Sequence, residues 1–275
     1  MNKLRGILKV SFPGYASIFS KITVQTSLAL LEKYPSAIDF LSAKKSSIVK
    51  IITKTGRFGK AYAEAKYQAI IEAAKSAAVF GHFVSSNSIQ VRLCVAFIRK
   101  YDAEVSDVLA AIHRLVDEHD NELFVRQIRL IETIPGAGFL SAVTVICEIG
   151  DFSVFKSPKQ LFAYFGIDPA VKQSGNFTGT QVKMSKRGSA VARRAIFIIA
   201  VVGIGISRKG VANNPILRDY YLLKCKSKLK MVALGAVMHK VSNIIFAVLR
   251  DNKPFTVISN DEHIAAYQDK LAAGV

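Results

Sequence analysis

The spacing of apolar residues between Ser85 and Ile131 restricts the fold more than any other feature. Four of them recur at intervals of three and four, which places them on one face of a helix: Val105, Leu109, Ile112 and Val116. A helix with such a stripe must pair with another helix, in this chain or in a second copy. Little strand-type alternation occurs elsewhere, and residues 61–80 are rich in alanine. We therefore predict an all-α fold, with room for a short hairpin in the polar loop around Ser174.

Composition points to a polyanionic partner. The chain has 275 residues, of which 51% are hydrophobic, so it is long enough for one large or two medium domains with a buried core. Its formal net charge is +18, which is high for an ordinary soluble enzyme. Its three cysteines lie far apart, which argues for a reducing compartment and against disulfides and zinc. His113 and His119 lack a third ligand at metal-binding spacing.

The positive charge is concentrated in two blocks. Residues 1–70 contain 12 Lys or Arg and 3 Asp or Glu, and residues 172–230 contain 13 and 1. In the second block the cations accompany glycines, serines and tyrosines, which indicates a surface that contacts a phosphate backbone. For residues 1–70 an ordinary solvated face remains the alternative.

Two apolar stretches have the composition of membrane segments, but we expect both to be core helices. Residues 195–206 are too short to span a bilayer, which needs about 20 apolar residues. Residues 231–249 carry His239 and Lys240 at their middle, where charge is costly in lipid. The first residues do not have the pattern of a signal peptide. A cationic membrane-active protein is disfavoured because the chain lacks Trp.

The segment Ile134–Gly138, with the sequence IPGAG, predicts a tight turn between two helices. Gly136 and Gly138 would bring backbone N–H groups close to a ligand, and the next helix would offer its N-terminus to a phosphate. This is the pattern of a helix-hairpin-helix motif that grips a nucleic-acid backbone. The alternative is a helical corner that serves only packing.

The stretch "AVKQSGNFTGTQVKMSKRGS", residues 170–189, places a serine in a loop with four cations and no acid. Ser174 is followed by Gly175, and the nearest carboxylate is Asp168, so no protease-like triad is encoded locally. A nearby helix begins after Ser189. The cations of the loop and of that helix suit the charge of a phosphoryl oxygen: Lys172, Lys183, Lys186, Arg187, Arg193 and Arg194. A catalytic serine and a phosphate-binding serine both fit these residues.

From about Leu130 to Asp251 the chain resembles the C-terminal domain of insertion-sequence transposases of the type-110 group, which are serine recombinases guided by a bridge RNA. The resemblance lies in the ordered motifs IPGxG, EIGD, F-x-S-x-K-Q-L, G-x-x-P, Q-S-G and S-K-R-G. It implies that Ser174 is the nucleophile that becomes linked to DNA. It also implies DNA and a guide RNA as partners, and a homo-oligomer or co-assembly with full-length transposase. The expected location is the cytoplasm, at the nucleoid.

In that family a RuvC-like N-terminal domain supplies the acids that hold Mg²⁺. Residues 1–70 offer only Glu32, Asp39 and Glu64, without the required spacing. We therefore expect a truncated transposase that has no metal site of its own and is catalytically incomplete alone. The alternative is a non-catalytic, transposase-derived nucleic-acid-binding or regulatory protein.

The expected domains are a helical linker or coiled-coil region at 1–125, a transposase serine domain with a helix-hairpin-helix at 126–252, and a tail at 253–275.

Overall fold

The structure, a computed structural model, describes residues 2–56, 58–80, 85–170, 173–174, 177–178, 184–258 and 262. Within those ranges the chain forms thirteen α-helices, one 3₁₀ turn and one two-stranded hairpin, which confirms the predicted all-α class. The chain divides into two compact units, Met1–Leu115 and Val116–Val275.

The first unit is built from short helices and one long one. They are α1 (Asn2–Ser11), α2 (Tyr15–Ile18), α3 (Gln25–Lys33), α4 (Ala37–Ser42), α5 (Lys45–Gly56), α6 (Lys60–Phe80) and most of α7 (Ser85–Glu118). Pro35 lies between α3 and α4, where the residue before a proline disfavours helical backbone. The Ser36 hydroxyl then accepts from the Asp39 N–H, and the Asp39 carboxylate accepts from the Ser36 N–H, so a capping box starts α4.

An aromatic cluster fills the centre of the first unit. The ring centroids of Phe12 and Tyr15 lie 5.0 Å apart, and that of Phe40 lies 5.6 Å from Phe12. Burial raises the pKa of the Tyr15 phenol, which donates a 3.3 Å hydrogen bond to the Ser27 carbonyl. The cluster stabilises the fold by burying large apolar surfaces in tilted ring contacts.

Helix α7 carries an apolar stripe that stays exposed. The first turns contribute Val91 and Val95 to the core of the first unit. Further apolar residues of α7 are exposed: Ile89, Leu93, Phe97, Tyr101, Val105, Val108 and Leu115. From Tyr101 to Leu115 their spacing, with half-buried Ile112, alternates between four and three, the spacing of a coiled-coil seam.

The second unit contains α8 (Leu123–Glu132), α9 (Phe139–Ile149), a 3₁₀ turn (Phe152–Val154), α10 (Pro158–Phe165), the strands β1 (Gln173–Ser174) and β2 (Phe177–Thr178), α11 (Ala190–Gly203), α12 (Pro215–Cys225) and α13 (Lys230–Asp251). Helices α9, α11 and α13 supply most of one continuous hydrophobic core. The strands pair antiparallel, with Ser174 opposite Phe177, so the predicted hairpin at the serine loop is present.

Helix α13 is long and apolar enough to cross a membrane by length and composition. More than half of its apolar window, 56%, is nevertheless buried inside the protein. Its buried residues, among them Val237, Val241 and Ile245, belong to the core of the second unit. His239 accompanies them and forms a 3.0 Å hydrogen bond to the Ile167 carbonyl. The expectation that residues 231–249 form a core helix is thus met by their packing.

The IPGAG turn joins α8 to α9 and packs on the C-terminal end of α11. Gly136 has φ 109°, and a Cβ there would lie 2.8 Å from the Gly203 Cα, so both the backbone conformation and the close approach to α11 need glycine at position 136. Buried Asn214 fixes this junction. Its Nδ2 donates to the Pro135 carbonyl over 3.2 Å, while its Oδ1 accepts from the Leu217 N–H and caps α12.

Candidate nucleic-acid interface

The loop that carries Ser174 is closed at its base by residues 184–189, which we call the strap. The strap runs antiparallel to residues 164–169, beginning with a bridge between Pro169 and Met184. The Ser185 N–H donates to the Asp168 carbonyl over 2.8 Å, and the Lys186 N–H donates to the Gly166 carbonyl over 3.0 Å. Backbone hydrogen bonds therefore hold the two ends of the loop side by side.

Glycine at position 188 lets the strap lie directly on the end of α10. A Cβ at Gly188 would overlap the Tyr164 carbonyl oxygen and the Gly166 nitrogen. The neighbouring Ser189 N–H donates to that same Tyr164 carbonyl over 3.0 Å. Packing of the strap on α10 thus explains why the S-K-R-G motif ends in glycine.

Two strap serines donate to the two carboxylates that lie against the strap. The Ser185 Oγ donates to the Asp168 Oδ1 over 2.6 Å, and the Ser189 Oγ donates to the Glu148 Oε2 over 2.5 Å. The Ser189 Oγ also accepts from the Ala192 N–H and so caps α11, as the sequence predicts. These bonds tie the strap to the ends of α9 and α10. Glu148 and Ser185 have no role in the sequence-based site, although both lie in motifs that it quotes.

Apart from Arg193, the residues predicted around Ser174 fall into three groups. Lys186 and Arg187 are exposed on the strap, where Lys186 adopts the left-handed backbone with φ 57°. Arg194 is exposed in the first turns of α11. Lys172, Gly175 and Lys183 lie outside the described residues, and Ser174 is described by its backbone pairing only.

Arg193 has a role that its charge does not reveal. Its Nη1 donates to the Phe165 carbonyl over 3.1 Å and approaches the Gly188 carbonyl at 3.4 Å. The side chain is half-buried between α10 and the strap. Arg193 therefore joins the strap to the end of α10, in addition to carrying positive charge at the start of α11.

The predicted glycine turn lies away from the strap. Gly138 is exposed at the N-terminus of α9, and nothing would crowd a Cβ there, whereas Gly136 faces α11. Glu148, which binds the strap, lies ten residues further along α9, or about 15 Å at 1.5 Å per residue. The described residues of the predicted site thus form two groups, at the two ends of α9.

Among the residues that the structure describes, metal-ligating side chains do not gather near either group. Over the described ranges, no three or more His, Cys, Asp or Glu side chains are placed to share a metal ion. Asp151 of the EIGD motif instead accepts from the Ser153 N–H, which holds the pKa of its carboxyl below the usual value.

Comparison with known sequences shows that the second unit is similar to transposases. Residues 128–222 match the profile described as Transposase IS116/IS110/IS902 family. The Pilin gene-inverting protein of Moraxella bovis is 33% identical over 126 residues, which cover 46% of this chain and 38% of that protein. The insertion element IS110 43.6 kDa protein of Streptomyces coelicolor is 22% identical over 278 residues, which cover 100% of this chain and 61% of that protein.

The chain therefore spans 38% of the length of the first of these relatives and 61% of the second. The transposase for insertion sequence element IS1111A of Coxiella burnetii is 36% identical over 63 residues. The profile match covers the IPGAG turn, the serine hairpin, the strap and α11, which are the elements that build the candidate site. Over residues 128–222 the second unit is thus similar to the IS116/IS110/IS902 family of transposases.

Proposed function

We propose that this chain acts on DNA in the transposition of an insertion sequence, with Ser174 as the nucleophile that cleaves and exchanges strands. One observation carries the proposal. The strap closes the Ser174 loop beside the exposed cations Lys186, Arg187 and Arg194, inside the segment that matches a transposase family. A closed loop limits where its serine can travel, and cations next to it attract the phosphates of a strand.

The chemistry follows from a hydroxyl and a phosphodiester. The Ser174 Oγ would attack phosphorus and lose its proton to solvent or to a base. A bond from Oγ to phosphorus forms, the bond from phosphorus to one sugar oxygen breaks, and that oxygen leaves with a proton. The cations and the N-terminus of α11 would stabilise the negative charge that develops on the phosphoryl oxygens. Reversal by a sugar hydroxyl from another strand would complete the exchange.

The Mg²⁺ implied by the family resemblance does not fit the described part of this chain, because no suitable group of ligands is present there. We propose that the acids of a RuvC-like domain, on this polypeptide or on another, hold the metal ion. The metal-binding acids of such a domain would have to approach the strap from outside the second unit.

A second copy of the chain is the proposed partner of α7. The stripe from Tyr101 to Leu115 has coiled-coil spacing and is exposed except for half-buried Ile112, and an apolar seam of this length is stabilised by burial against another helix. The surplus of lysine and arginine in residues 1–70 suits the phosphates of a guide RNA.

A covalent adduct tests the catalytic proposal. Labelled DNA that contains the element ends is mixed with Mg²⁺, the chain and a full-length relative whose own serine is changed to alanine. A denaturing gel should show a protein–DNA adduct at the size of this chain, absent with Ser174→Ala and retained with Ser86→Ala, an exposed serine on α7. An adduct that survives Ser174→Ala assigns the nucleophile to another residue.

A non-catalytic, regulatory nucleic-acid-binding protein is the second candidate, and the surplus of lysine and arginine in residues 1–70 and 172–230 supports binding to nucleic acid in either case. Such a protein would lower recombination by the full-length enzyme when added in excess. Ser174→Ala would leave that inhibition unchanged if it arises from binding alone.

A further inference from the structure

An apolar groove begins where the serine loop ends. It has a volume of about 320 Å³ and lies between α11 and α13, with the first residue of the strap at one end. Its lining is mostly apolar, with two arginines: Met184, Ala190, Arg193, Arg194, Phe197, Met231, Leu234, Gly235 and Met238. Met184 is also the residue that pairs with Pro169 to close the loop. The groove is therefore continuous with the proposed DNA-binding surface.

Methionine dominates this groove. The chain has four methionines, and three of them, Met184, Met231 and Met238, line it. Met231 is 69% exposed, so it is not there to fill the core. Thioethers are flexible and polarisable and make favourable contacts with aromatic rings, and Phe197 adds a ring to the same wall. The lining suits a flat aromatic ligand whose exact orientation varies.

Gly235 leaves the groove open in the second turn of a helix. It lies within α13, where glycine costs about 1 kcal/mol of stability relative to alanine. No atom would lie within 4 Å of a Cβ at this position, so packing within the protein does not require the glycine. The space above it is the groove itself. A ligand that enters the groove gives a reason for glycine there.

The charges at the rim select the ligand class. The groove is bordered by Arg193 and Arg194, and among the described residues no Asp or Glu lines it. Arg193 is occupied with backbone carbonyls, which leaves Arg194 as the exposed cation beside the apolar wall. The volume lies at the lower end of the range for small-ligand sites, and a docked helix would need several anchor pockets along its length. A ligand with one aromatic group next to a phosphate matches both the small volume of the groove and the exposed Arg194 at its rim.

We infer that this groove binds an unpaired base of the DNA strand whose phosphates contact Arg194 and the strap. The inference rests on the proposed action on DNA and adds to it a subsite for a base that has left the helical stack. Stacking on aromatic and apolar side chains is tolerant of sequence, because every base has a flat face. The subsite would hold the strand in register while the serine reaches the neighbouring phosphate.

Binding of matched single strands tests the subsite. The probes are labelled oligomers of about twelve residues, within the range of known single-strand site sizes: thymidine DNA, abasic DNA with the same number of phosphates, and uridine RNA. Wild-type protein should bind the thymidine oligomer about tenfold more tightly than the abasic one in fluorescence anisotropy. Gly235→Phe fills the groove and should lower thymidine affinity to the abasic level while abasic affinity stays unchanged.

Two further variants complete the design. Gly6→Phe makes the same change at an exposed, uncrowded helical glycine of the first unit and should keep the wild-type preference. Met231→Ser alters an exposed side chain, so it should fold normally and weaken the preference for thymidine. A folded Met231→Ser or Gly235→Phe protein with the wild-type preference overturns the inference.

The outcomes separate the two proposals. Equal affinity of wild-type protein for thymidine and abasic DNA overturns the base subsite and leaves DNA binding standing. Failure to bind either oligomer, and duplex DNA as well, removes the proposed function. A stronger preference for the uridine RNA than for the DNA overturns the assignment of the base to DNA. A change of oligomeric state with Gly235→Phe in the absence of nucleic acid shows that a second copy occupies the groove, and also overturns it.

Discussion

The Ser185 hydroxyl donates a 2.6 Å hydrogen bond to the Asp168 carboxylate, and the same two residues are joined by a 2.8 Å backbone hydrogen bond. Between them lie the sixteen residues that include Ser174. The pair therefore fixes both ends of the proposed catalytic loop at one point of the second unit.

Breaking the side-chain bond between these residues should affect catalysis more than binding. Asp168→Ala removes a hydrogen bond to a charged group, worth about 1.5–3 kcal/mol, from the base of the loop. We expect adduct formation to slow by about tenfold or more, while DNA affinity changes by less than about twofold. Asp168→Asn keeps an acceptor oxygen and should restore most of the rate. Equal losses of rate and affinity in both variants would contradict a positioning role.

The neighbouring arginines of α11 should respond differently to the same substitution. Arg193→Ala removes the contacts to the Phe165 and Gly188 carbonyls, and we expect about 2 kcal/mol of lost stability, seen as a melting temperature lower by about 5 °C. Arg194→Ala should melt like the wild type but reduce the salt dependence of DNA affinity by about 0.9 in the log–log slope. Identical effects of the two variants would show that their separate environments are irrelevant.

Two glycine-to-alanine substitutions in the second unit should change stability in opposite directions. Gly188→Ala forces a methyl group against the Tyr164 carbonyl and should destabilise the protein by about 1–3 kcal/mol. Gly235→Ala adds a methyl group over the groove in α13 and should stabilise it by up to about 1 kcal/mol. Denaturant titration measures both. A stable Gly188→Ala protein would mean that the strap does not need to lie on α10.

A charged side chain in the apolar stripe of α7 should dissociate the proposed oligomer. Val108→Glu places a carboxylate in the seam, where burial against a second helix would be unfavourable. Ala110→Glu introduces the same group at an exposed position on another face of α7. Sedimentation analysis should show loss of the oligomer with the first variant and none with the second. A wild-type protein that is monomeric at all accessible concentrations would remove the second copy as the partner of this stripe.

The spacing of apolar residues and the residues that cap helices predict the helices of this protein well. The spacing of Val105, Leu109, Ile112 and Val116 predicts a helix, and the structure has α7 there. The start of α11 at Ser189 follows from a local rule, because the cap bonds to its own helix. Such features depend on residues within one turn of each other, which is why sequence alone reveals them.

The site depends on contacts between distant parts of the chain, and residue type alone does not reveal those. Nothing in the sequence distinguishes Arg193, which binds carbonyls of α10 and the strap, from Arg194, which is exposed. Gly136 has the residue type expected near a phosphate, yet it meets Gly203 of α11. Met184 and Met231 are separated by 47 positions and come together only because α11 packs on α13.

The left-handed backbone of Lys186 has a consequence for how this protein would evolve. A lysine with φ 57° costs about 1 kcal/mol or more compared with glycine, which adopts this conformation freely. A laboratory selection for heat resistance alone would favour Lys186→Gly. A selection for the proposed strand transfer would keep lysine at position 186, because its ammonium group is one of the proposed phosphate contacts. The two selections should therefore give different residues at this position first.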